Sequence, residues 1–89
     1  MKAYKLILIQ DKKGRQKTDP NSTKRKGSIY QYIRAREGSS ANLIYMYDNT
    51  HERKDGATIT SPVERVIKEG VLTTIVTQNT VYTFEEVEE

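Results

Sequence analysis

Between Gln10 and Ser28 the chain carries no apolar residue. In a protein of 89 residues, this gap divides the core-forming material into a short leading segment and a longer trailing one. What remains can build one small hydrophobic core and no second. The expectation is a single domain over residues 1–89 with a long basic loop at 11–27. Outside the gap the apolar residues are dense, and their type is biased. Ile and Val number 14 together against 4 Leu, with 6 Tyr alongside. Such β-branched and aromatic residues suit strands better than helices.

The periodicity agrees. Residues 3–10 are apolar on both faces over Leu6–Ile9, as in a strand with neighbours on either side. Residues 28–36 alternate, with Ile29, Ile33 and Ala35 on one face and Tyr30, Tyr32, Arg34 and Arg36 on the other. Glu37-Gly38-Ser39-Ser40 reads as a turn. Residues 42–48 form a third strand, opposing Leu43, Tyr45 and Tyr47 to Ile44 and Met46, and Asp55-Gly56 is a turn signal. Leu72–Thr77 and Val81–Phe84 are two strands joined by a turn at Gln78-Asn79.

Residues 59–68 admit two readings. Ser61-Pro62-Val63-Glu64 has the form of a helix start, with a Ser cap, Pro in the first turn and Glu in the capping-box position. A short helix at 62–69 would then end at Gly70. As a strand, Val63, Arg65 and Ile67 alternate with Glu64 and Val66, and Glu69-Gly70 becomes a hairpin turn. The strand is the favoured reading, because barely two helical turns depend on packing rather than on caps.

Thr60-Ser61-Pro62-Val63, Gly70-Val71-Leu72 and Thr77-Gln78-Asn79-Thr80-Val81-Tyr82-Thr83-Phe84 together resemble a pattern in small β-rich proteins of bacterial phages and mobile elements. The resemblance covers about the last 30 residues. It implies successive strands and a mobile-element origin; those proteins have no assigned activity, so it carries no site residues across.

The expected architecture is a mainly β, barrel-like meander of five or six strands, SH3-like or OB-like. Curling into a barrel reduces the exposed edges of a small sheet. Such barrels serve many purposes, so the fold implies no function.

Composition excludes several chemistries. There is no Cys and one His, which removes disulfides, thiolate metal sites, Cys nucleophiles and any multi-His centre within the chain. Asp48, His51, Glu52 and Asp55 match neither an EF-hand nor a zinc-helix spacing. Ser61, His51 and Asp48 lack a nucleophile elbow, and Lys17-Thr18 lacks the glycines of a phosphate loop. The expectation is a non-catalytic protein with no cofactor and no metal. The longest apolar run falls far short of the roughly 20 residues of a membrane span, and no signal-peptide pattern follows Met1. A cytoplasmic location without membrane contact is expected.

The charge distribution carries the functional reading. Lys12, Lys13, Arg15, Lys17, Lys24, Arg25 and Lys26 face only Asp11 and Asp19 within residues 11–27. The far end reads Glu85-Glu86-Val87-Glu88-Glu89, an acidic tail placed to compete for that loop. A basic loop attracts polyanions by counterion release. Tyr30 and Tyr32 supply stacking rings beside Arg34 and Arg36 if their face is outward. If that face is inward, the tyrosines are core, an alternative that Gln31 on the Ile29 face favours. The expected activity is electrostatic binding of RNA or single-stranded DNA. The alternative is a phage or mobile-element module that binds a host protein through exposed strand edges.

Overall fold

The computed structural model describes residues 1–89. Six strands, β1 (Lys2–Gln10), β2 (Ile29–Arg34), β3 (Ser40–Tyr47), β4 (Ala57–Glu69), β5 (Leu72–Thr77) and β6 (Val81–Glu88), accompany one short helix, α1 (Pro20–Arg25). Every pairing is antiparallel and joins strands adjacent in sequence, and β1 pairs with β6 to close a barrel. This is an up-and-down meander, not the Greek-key order of an OB barrel. Neither terminal strand is left as a free edge of an open sheet, and the β1–β2 seam is the short one, with Tyr4–Tyr30 and Lys5–Ile29 as its paired positions. No helix is long and apolar enough to cross a membrane.

The core is a cluster of Leu6, Ile9, Tyr30, Ala41, Leu43, Tyr45, Val63, Ile75, Tyr82 and Phe84. Its members do not follow strict alternation, because the ladders are interrupted. On β1 the register shifts between Leu6 and Leu8, so Leu6 and Ile9, three residues apart, both face inward. On β2 the register shifts between Tyr30 and Tyr32, setting two residues against one on β3. A bulge of this kind reverses the inside–outside parity of everything beyond it. Tyr30 therefore shares the interior with Ile33 and Ala35, while Tyr32 is turned outward. Tyr30 and Tyr32, expected on one face from simple alternation, thus lie on opposite sides of the barrel wall.

Residues 59–68 lie within β4, which runs through Pro62. Proline is tolerated at irregular positions that need no N–H from it, and the register shifts on both sides of this point. The helix considered at 62–69 is absent; the one helix lies at Pro20–Arg25, inside the segment expected to be a loop. Asp19 caps it, accepting from the Ser22 amide at 3.1 Å and from the Ser22 hydroxyl at 2.7 Å. Pro20 supplies the preset φ of a first helical residue. The start of the insertion is also hydrogen-bonded. Asp11 accepts from the Lys13 and Arg15 amides at 2.9 and 3.0 Å, and the Lys17 amide donates to the Ile9 carbonyl at 2.9 Å. Gly27 then returns the chain to β2 with φ 91°, and a Cβ there would lie 3.4 Å from that of Asn49.

The acidic end of the sequence is not a loose tail. Glu85 and Glu86 lie within β6, opposite Lys5 and Tyr4 of β1, and Glu86 pairs with Lys2 at 3.7 Å. The basic insertion leaves β1 at its other end, where Gln10 pairs with Val81, and returns beside Leu6; of the acidic end, Glu89 lines a concavity with Arg53 and Lys54.

Candidate nucleic-acid interface

The eleven residues singled out from sequence separate into four groups. Tyr30 is withdrawn from any binding role by complete burial. Its ring stacks on Tyr45 and meets Phe84 edge-on, and its hydroxyl has no hydrogen-bond partner. Burial pushes its pKa far above the ordinary tyrosine value, with the nearby Tyr45 hydroxyl adding to the effect.

Lys12 and Lys17 are engaged within the protein. Lys12 forms an ion pair with Glu64 and donates to the Thr77 carbonyl at 2.9 Å. Lys17 donates to the Thr80 hydroxyl at 2.8 Å. Both stitch the insertion to the turn between β5 and β6, so releasing either to a phosphate would forfeit a tertiary contact.

Tyr32, Arg34 and Arg36 remain together on the outside. Tyr32 is 52% exposed, and its cross-strand partner on β3 is Ile44, itself opposite Ala57 of β4. Arg34 is opposite Asn42, which is in turn opposite Ile59; Ile59 is 69% exposed. Arg34, Arg36, Ser39, Ser40 and Asn42 line a polar concavity of about 370 Å³. The ion pairs of the protein are Met1–Glu88, Lys2–Glu86 and Lys12–Glu64, with a His51–Glu89 contact besides. Neither arginine takes part in one, so both guanidinium groups are available to an anion.

The last group is the remainder of the insertion. Lys13 and Arg15 are exposed beside Asp11, whose carboxyl is held below its usual range chiefly by the Arg15 amide. Lys24 and Arg25 end α1, with Lys26 following. Lys24 and Arg25 border a second concavity of about 320 Å³, whose other walls include Tyr45, Lys54, Asp55 and Thr58. Lys54 was not singled out from sequence. It reaches this groove from the turn between β3 and β4, its ammonium 4.3 Å from the Tyr45 ring centroid. No local signal marks it, since the partner cations lie about 30 residues away along the chain.

Two residues considered for other chemistry have structural duties. Asp48 accepts from the Thr50 amide and hydroxyl and from the Glu52 amide. His51 adopts φ 65° and stacks on Tyr47. Comparison with protein-family models, curated proteins and solved structures finds no match to this chain.

Proposed function

We propose that this protein binds RNA or single-stranded DNA without catalysis, through the outer face of β2. A base stacks on Tyr32, and the flanking phosphates are held by Arg34 and Arg36. The observation that carries this reading is the placement of a half-exposed ring beside two arginines free of carboxylate partners. Ring stacking tolerates any base, and guanidinium groups engage phosphate oxygens bidentately. Unpaired bases are required, because only they can splay onto a side-chain ring. Lys13, Arg15, Lys24, Arg25 and Lys26 supply the field that draws the strand in.

Fluorescence anisotropy of labelled oligo(U) and oligo(dT) tests this at low salt, where electrostatic association is strongest. Saturable binding of the wild-type protein, weakened by Tyr32→Ala, is the expected result. An absence of binding at low salt rules the reading out. A pull-down from bacterial lysate that retains a protein after nuclease treatment would then favour the host-protein alternative.

A further inference from the structure

The groove between α1 and the turn joining β3 to β4 has a composition that stacking on Tyr32 does not use. We infer that it is a phosphomonoester site, taking the terminal phosphate of a nucleotide or of a strand's 5′ end. Three cations converge there from two separate elements: Lys24 and Arg25 from the end of α1, and Lys54 from the turn opposite. Asp55 is the one carboxylate in the lining, and none of the four takes part in an ion pair. The lining therefore carries a net charge of two positive. A phosphomonoester carries roughly −1.5 to −2 near neutral pH, a close match. A carboxylate is a planar monoanion best met by one guanidinium fork, which leaves the other two cations unused.

The groove is also held in shape. Lys54 is kept in place over the Tyr45 ring. Thr58 donates to the Tyr45 hydroxyl at 2.8 Å, fixing the ring on which Lys54 rests. Arg25 lies beside the Tyr82 hydroxyl, whose pKa burial raises against the pull of that guanidinium. The volume of about 320 Å³ is at the lower end for small-molecule sites. The site deepens the nucleic-acid reading and depends on it only for the source of the phosphate.

Amide chemical-shift mapping with inorganic phosphate at pH 7.5 tests the site directly. Saturable shifts confined to Lys24, Arg25 and Lys54–Thr58 are expected, lost in Arg25→Gln/Lys54→Gln and kept in Lys54→Arg. Should the double variant fail to fold, Lys24→Gln and Lys54→Gln singly serve the same purpose. A nucleoside monophosphate and a pair of oligonucleotides, 5′-phosphorylated and 5′-hydroxyl, then identify the source. The phosphorylated strand should bind at least about tenfold tighter, as expected for one charged hydrogen bond, and the double variant should erase that preference. Unsaturable shifts, or shifts unchanged in the double variant, overturn the site. Phosphate binding in the groove without any oligonucleotide binding leaves the site standing and removes the nucleic-acid reading. Oligonucleotide binding through Tyr32 with no response to phosphate does the reverse.

Discussion

The Tyr30 and Tyr45 rings stack with centroids 4.6 Å apart and planes inclined at 29°. The two residues are also paired across β2 and β3, so the stack fixes the register of the strands that present Tyr32 and Arg34. Offset ring pairs add about 0.5–1.5 kcal/mol beyond the area they bury. The same stack decides which tyrosine is structural and which is available.

Tyr30→Ala should cost about 3–5 kcal/mol of stability, as for other large-to-small changes of buried aromatics. Tyr30→Phe should do the opposite. It keeps the ring and removes a buried hydroxyl that has no partner, a group whose desolvation costs about 1–3 kcal/mol. Urea unfolding of both variants checks the pair; a Phe variant less stable than wild type would mean the hydroxyl is satisfied after all.

Tyr32→Ala should leave stability within about 0.5 kcal/mol of wild type, as for surface changes that break no special contact. Its effect falls on binding, with a loss of about 1–3 kcal/mol for one lost base stack. Anisotropy titrations beside thermal melts separate the two quantities. A large fall in melting temperature would place the ring in the core instead.

Cations differ in the same way. Arg34→Ala and Arg36→Ala should each flatten the log–log salt dependence of binding by about 0.7, the value for one phosphate contact on a single strand. Lys12→Ala should leave that slope unaltered. Its charge already serves Glu64 and the Thr77 carbonyl, so its loss should lower stability by about 1 kcal/mol. Salt titrations of the three variants at matched protein concentration give the comparison.

The strands were legible because alternation and β-branched residues act locally, as at 42–48 and 72–77. The helix was not. Asp19-Pro20 is the same kind of start signal as Ser61-Pro62, yet it precedes a stretch with no apolar face. Ser61-Pro62 opens a segment whose alternation finds ladders on β3 and β5 and becomes strand. The sides taken by Tyr30 and Tyr32 were hidden for a different reason. The bulge that separates them is settled by pairing with β3, not by anything in Ile29–Arg34 alone. Lys54 was illegible because barrel closure and the capped helix bring it to Arg25, and neither is a property of its neighbours in sequence.

Acid should loosen the turns before the barrel. The Asp19 carboxyl is held below the ordinary value of 3.8, first by the Ser22 hydroxyl and then by the Ser22 amide. Asp48 is lowered chiefly by the Thr50 hydroxyl and Asp11 chiefly by the Arg15 amide. A carboxyl whose folded pKa is depressed contributes stability that is complete above its unfolded value and is lost as pH falls through the folded one. These three contributions should therefore be constant at neutral pH and decline only below 3.8. The Ser22 amide resonance should report it, titrating with a midpoint below 3.8. Asp19→Asn provides the control, since Asn caps helices about as well as Asp but carries no charge to lose. In that variant α1 should persist while the Ser22 titration disappears; a Ser22 titration that survives would assign the effect to another acid.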